Sequence, residues 1–377
     1  MRTADVSDAP RSARPQARSR PRPRLGTVAL WFIAIAVIAG LVGMSAAEGL
    51  LAWDVRFAYL PAAEAILDGE SPYPGIDDPI LEDQKGYVYP PQLALLLVPL
   101  TVLPVPIASF LVAVGLLALV FATLYVLEIR DVRCYAAALI WVPVISGVLL
   151  GNVSIPLAFA LAVVWRYRDA VLPPAVSLGI AVSAKLLLWP MFVWTFATRR
   201  VRTVALALGI GAVVTFAAWS SIGFAGFSEY PDLLERLSEI QSERSYSLVG
   251  MASTLGLSEG IGQVVTLVVG VALLVGCVVL ARRGDEERSF TCAVAATLAL
   301  SPIVWLHYLV LLLVPLAILR PRFSIVWLLP AVLWVSPRPG YAEGYETFMP
   351  GLVAAILVAV LLIRPRPGKS VAAAAPA

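Results

Sequence analysis

The sequence predicts an all-α polytopic membrane protein of about twelve crossings, with one long outer loop after the first. Three observations carry that reading. The 377 residues are 60% hydrophobic and only 14% charged, where soluble domains run near a quarter charged, and the mean hydropathy is +0.86. The apolar residues fall in successive runs that approach the length of a bilayer crossing. Between those runs the basic residues gather on one side of the membrane, as the positive-inside rule requires.

Residues 1–25 hold seven Arg among Pro, Ser and Ala with no apolar periodicity, which predicts a disordered cytoplasmic tail. A first span over 27–48 follows, and reads as a retained signal anchor because no small-residue cleavage site precedes the polar loop. The loop 49–90 then lies outside, with a short helix over 55–68 broken or bent near Pro61. Residues 91–104 are apolar but interrupted by Pro99 and Pro104, so they read as a half-helix entering the outer leaflet. A full span at 106–127 comes next. Further spans fall near 134–150, 153–165, 171–184, 186–198, 203–222, 261–281, 290–305, 307–320, 323–336 and 348–363, several short enough to need tilted or broken helices. Residues 26–365 form the transmembrane domain, and 366–377 a cytoplasmic tail. Loop 223–259 is the second large outer loop. Its stretch with Leu233, Leu234, Leu237 and Ile240 on one face suits a helix lying along the membrane surface.

Counting charges fixes the orientation. With the N-terminus inside, 22 of the 28 Lys and Arg fall in cytoplasmic segments, five lie outside (Arg56, Lys85, Arg236, Arg244, Arg338) and Lys185 sits in a span. A full crossing at 91–104 would swap every later loop and break that pattern. Cys134, Cys277 and Cys292 all fall at or inside apolar segments, with no CxxC pair, which argues against a disulfide framework or a thiolate metal site.

The outer loop from Trp53 to Pro91 carries eight carboxylates against Arg56 and Lys85. Trp53 at one end and Tyr87, Tyr89 and two prolines at the other suit the membrane interface, where an amphipathic ring is half wet. Asp54 lies nearest the membrane surface. It can cap the helix that follows or act as a general base at the membrane edge. His307 is the only histidine; it reads as an interfacial polar residue, or as a donor to a phosphate and an orienting partner for Asp54. Lys185 is the one cation within an apolar run. It either snorkels to the interface or holds an anionic headgroup in a cavity. Gly151-Asn152 marks a sharp outer turn, for which both residue types are suited by backbone alone. Asp77-Asp78 is a solvated acidic pair or a weak cation site. There is no phosphate-binding glycine loop, nucleotide fingerprint or zinc spacing. Hence no cofactor, metal or nucleic-acid partner is expected, and an outward-facing enzyme would need an activated donor carried by a lipid.

Taken together, Asp54, Tyr59, Glu64-Ala65, Gly69 and Pro72-Tyr73, then the run Tyr87 to Leu100, resemble glycosyltransferase family 87. Gly151 to Ser154, Lys185 and Ser301 to Tyr308 continue the likeness in the expected order. The sequence departs from the family pattern at Asn152, where Gln is expected, and after Lys185, where Leu-Leu-Leu-Trp replaces a proline-containing turn. The resemblance implies a fold of the GT-C class. It also implies a polyprenyl-phosphate-mannose-dependent alpha-mannosyltransferase of the plasma membrane, with a glycolipid or lipoglycan acceptor and an extracytoplasmic active site. Asp54 would be the catalytic base with His307 beside it, and Lys185, Arg56, Tyr87, Tyr89 and Asn152 would bind the donor phosphate and substrates.

That chemistry suits a single carboxylate. A lipid phosphate leaves without strong acid assistance, so one base acting on the acceptor hydroxyl suffices where a glycosidase needs a pair. Direct attack inverts the anomeric centre. Two neighbouring readings are a transferase that uses polyprenyl-phosphate arabinose and a lipid-linked sugar flippase. A flippase predicts charged residues along a path through several spans, whereas here Lys185 stands alone. A structural membrane subunit would leave the placement of Asp54 and His307 to chance.

Overall fold

In the computed structural model, residues 25–335 and 344–363 are described, and they contain helices and turns but no strand. The expected tails at 1–25, apart from residue 25 itself, and at 366–377 lie outside them. Helix α1 (Leu25–Ala47) is apolar all round, and only Ala34 and Ile38 along it are buried, which leaves much of its apolar surface to face lipid. A π-helical turn over Val55–Tyr59 then runs straight into α2 (Leu60–Leu67), whose first turn holds Pro61. The change from π to α bonding falls beside Pro61, whose ring nitrogen has no hydrogen to donate to the preceding turn.

The half-helix expected over 91–104 is short: α3 (Pro91–Leu97) and a 3₁₀ turn over Val98–Leu100, before α4 (Val105–Val126). The next expected span is instead two helices, α5 (Val132–Leu139) and α6 (Val142–Leu150), bent by 62°. The break falls at Trp141, whose ψ of 124° is extended, with Pro143 in the first turn of α6. The chain continues through α7 (Ser154–Arg166), α8 (Leu172–Ala184), a 3₁₀ turn at Leu186–Leu188, α9 (Pro190–Ala197) and α10 (Val201–Ser221). Then come α11 (Tyr230–Gln241), α12 (Leu248–Thr254), α13 (Glu259–Arg282) and α14 (Glu286–Ala299). A 3₁₀ stretch over Leu306–Leu312 leads into α15 (Leu313–Leu319), and a second over Ile325–Val335, with Pro330 inside it, precedes α16 (Phe348–Leu362).

The apolar segments therefore fall where composition puts them, and the molecule is an all-helical polytopic membrane protein. Among the described residues four helices, α1, α4, α10 and α13, are long and apolar enough to cross a bilayer, or five spans if α5 and α6 count as one. Burial sorts the helices by depth. Along α13, Val264, Leu267, Val268 and Val275 stay exposed, whereas Ser289–Thr297 of α14 and His307–Ala317 are buried. Exposed apolar side chains on an outer helix are at no disadvantage against lipid. Close helix contact comes from small residues, as expected where no water drives association. At Gly179 of α8 a Cβ would lie 2.6 Å from the Ala207 carbonyl oxygen of α10.

Helix α11 differs from expectation. Its apolar face turns inward rather than to the membrane surface: Leu233 is buried, while Leu234 and Leu237 line the central cavity. Hydrogen bonds fasten it to the first loop. The Tyr230 hydroxyl donates to the Val88 carbonyl at 3.1 Å, and buried Gln241 donates through Nε2 to the Leu81 carbonyl at 3.0 Å.

Candidate active site

The site is built where the loop after α1 meets the α6–α7 turn and the start of the Leu306–Leu312 stretch. Asp54 begins the π-helical turn, but its side chain makes no capping hydrogen bond. The carboxylate turns instead to Asn152, whose Nδ2 donates to Oδ2 at 2.5 Å, and to the Tyr59 hydroxyl, which donates to the same oxygen at 3.4 Å. The π-turn explains the second contact. Its i→i+5 bonding, seen in the Leu60 N–H donating to the Val55 carbonyl, brings residues five apart to one side, where an ordinary α-helix would separate them.

These side chains border one cavity of about 1040 Å³, at the upper end of small-molecule sites. Asp54, Tyr59, Tyr89, Asn152, Lys185 and His307 all line it. Lys185 follows the last turn of α8 in an extended conformation (φ −155°, ψ 117°), which throws its side chain out of helical register into the cavity. Its Nζ donates to the Tyr308 hydroxyl and lies 5.1 Å from the centre of the Tyr89 ring. His307 is 5% exposed, and its Nε2 has no hydrogen-bond partner among the described residues. A buried polar atom of that kind is costly to leave unpaired.

Burial pushes the Asp54 carboxyl up to about 6, against the opposing pull of the Asn152 hydrogen bond, the Lys185 charge and the Tyr59 hydroxyl. That balance suits a base near neutral pH.

Two of the sequence candidates are elsewhere. Arg56 packs over the Phe57 ring at 5.6 Å and beside Gly49, away from the cavity wall. Tyr87 is 2% exposed, not interfacial. Its hydroxyl donates to the Pro90 carbonyl at 2.6 Å and accepts from the Ala94 N–H at 3.0 Å. It thus braces the turn that presents Tyr89, within an aromatic cluster of Tyr59, Tyr73 and Tyr89. Asp78 is occupied as well, its carboxylate accepting from the Ile80 N–H at 2.9 Å. Sequence reasoning missed Tyr59 and Tyr308 as partners of the charged groups. Each stood inside a quoted motif, but pairing Tyr59 with Asp54 required knowing that a π-turn forms.

The described residues thus form an all-helical membrane protein in which a half-buried carboxylate, a cation and a buried histidine border one large cavity. The chain belongs to glycosyltransferase family 87, whose sequence profile matches residues 87–302, and it is accordingly a glycosyltransferase. Two curated proteins of Mycolicibacterium smegmatis are similar to it. One, a polyprenol-phosphate-mannose-dependent alpha-(1-2)-phosphatidylinositol pentamannoside mannosyltransferase, is 25% identical over 74% of this chain and 68% of its own length. The other, a polyprenol-phosphate-mannose-dependent alpha-(1-2)-phosphatidylinositol mannoside mannosyltransferase, is 27% identical over 71% of this chain and 70% of its own. No solved structure matches the chain significantly.

Proposed function

We propose that this protein transfers mannose from a polyprenyl-phosphate donor to a glycolipid such as a phosphatidylinositol mannoside, with inversion and with Asp54 as general base. The observation that carries the reading is the convergence of Asp54, Lys185 and the unpaired His307 Nε2 on one cavity. The donor and acceptor classes come from the two mycobacterial relatives.

In the proposed reaction the acceptor hydroxyl attacks the anomeric carbon as its proton passes to the Asp54 carboxylate. The new C–O bond forms while the bond from that carbon to the phosphate oxygen breaks, and its electron pair leaves with the polyprenyl phosphate. Lys185 and His307 meet the charge that develops there, as hydrogen-bond donors aimed at a leaving oxyanion do. A beta-linked donor then gives an alpha-mannoside.

We assign the chain a GT-C architecture over 26–365, with cytoplasmic termini in the plasma membrane and the site on the outer face. The charge count supports that sidedness. The test is a membrane assay with radiolabelled polyprenyl-phosphate mannose and phosphatidylinositol mannosides. Label should appear in a lipid one hexose larger. No transfer by folded protein, with the arabinose donor alone accepted, would overturn the sugar assignment.

A further inference from the structure

Asn152 carries an amide whose two ends are chemically opposite, and the neighbouring turn decides which end meets Asp54. Helix α6 stops at Gly151, in the left-handed conformation at φ +71°. A Cβ there would lie 2.7 Å from Val55 Cγ2 and 3.0 Å from Ala52 Cβ. The turn therefore sits directly on the segment that bears Asp54, and the Ala52 N–H donates to the Leu149 carbonyl at 2.7 Å. Asn152 is 2% exposed and Ser154 is fully buried at the start of α7. Asn152 Oδ1 accepts from the Ser154 backbone N–H at 3.0 Å and from the Ser154 hydroxyl at 2.8 Å.

A backbone N–H can only donate. The amide oxygen must therefore face Ser154, and the NH₂ group must face the carboxylate. Rotated by half a turn, the same amide would set an oxygen lone pair against Asp54. With the observed orientation, Asp54 Oδ2 is held by Asn152 and Tyr59, while Oδ1 has no partner among the described residues.

We propose that Ser154 is a positioning residue, acting through Asn152 to fix which oxygen of Asp54 is held and which is left to take the acceptor's proton. Asn152 then serves the base rather than the donor phosphate. This rests on Asp54 being the base, but the orientation itself can be read without turnover. The other groups facing Asp54 are Lys185 and Tyr59, with Tyr89 and Tyr308 beside it, and none of them is changed in the test.

The test titrates the protonated-carboxyl infrared band that disappears in Asp54→Asn, on full-length protein in detergent, alongside thermal unfolding. The wild-type midpoint is expected near 6. Asn152→Ala should raise it by about one pH unit, a tenfold change in ionisation, as loss of a hydrogen bond to a charged group requires. Ser154→Ala should raise it by roughly half as much, because the backbone donor remains. In the Asn152→Ala background Ser154→Ala should add nothing. Asn152→Asp keeps the acceptor for Ser154 but faces Asp54 with a second carboxylate, and should raise the midpoint most. A Ser154→Ala shift that persists without Asn152, or lowered thermal stability with an unmoved midpoint, would overturn the proposal. These shifts in the variants, together with a wild-type protein that transfers no mannose, would instead overturn the sugar chemistry alone.

Discussion

At the scale of single residues, Asp54 combines a raised affinity for protons with a fixed hydrogen-bond environment. General-base loss costs about 10²–10⁴-fold in rate, so Asp54→Asn should insert and fold normally yet transfer almost no sugar. Near wild-type turnover from folded protein would remove the base assignment. With the carboxyl held near 6 rather than in the ordinary range, kcat/KM should fall about tenfold per unit below that pH and level off above it. Stability should move the other way. Between the ordinary carboxylate range and about 6 the folded state binds the extra proton, so this group contributes stability as pH falls and loses it as pH rises through 6. Asp54→Asn should therefore unfold at a higher temperature than wild type at pH 8 and match it near pH 4. Lys185→Met is expected to raise the donor KM and leave the acceptor KM nearly unchanged. Equal effects on both would mean that the cation only packs on the Tyr89 and Tyr308 rings.

At the scale of elements, the π-turn and the α6–α7 turn matter more than any long helix, because they hold the carboxylate from both sides. Gly151 has a positive φ and no room for a Cβ. Gly151→Ala adds left-handed strain of roughly 1–2 kcal/mol and must also push the turn away from Val55. Thermal unfolding in detergent should show the lost stability, and activity should fall further than stability explains because Asp54 moves with the turn. Retained activity at a lowered melting temperature would mean that the contact is only structural. Helix α11 is the other decisive element. Its two hydrogen bonds to the first loop hold Leu234 and Leu237 over the cavity, so an amphipathic pattern that suits a membrane surface instead roofs a site.

At the scale of the whole molecule the claim is sidedness. Cys134, Cys277 and Cys292 are buried, so single cysteines added elsewhere label against a quiet background. Glu82→Cys and Arg202→Cys, both at exposed positions, should react from opposite sides of the membrane with an impermeant maleimide. Labelling of both from outside would overturn the orientation derived from charge counting.

What the sequence determined by itself was mostly composition and period. Runs rich in Leu, Val, Ala and Ile can satisfy their backbone in lipid only as helices, and so α1, α4, α10 and α13 were legible with ends within a few residues. Lys185 and His307 stood out because each is alone of its kind in its surroundings. Tertiary structure decided the rest, because the deciding contacts join residues far apart in the chain. The 62° break at Trp141, the inward face of α11 and the burial of Tyr87 depend on which neighbour covers each surface, and no local pattern carries that. Asp54 shows the division most plainly. Its position at the head of a helix was readable, but a cap and a base look alike in sequence. Only the approach of Asn152, 98 residues away, turned the carboxylate from its own backbone toward the cavity.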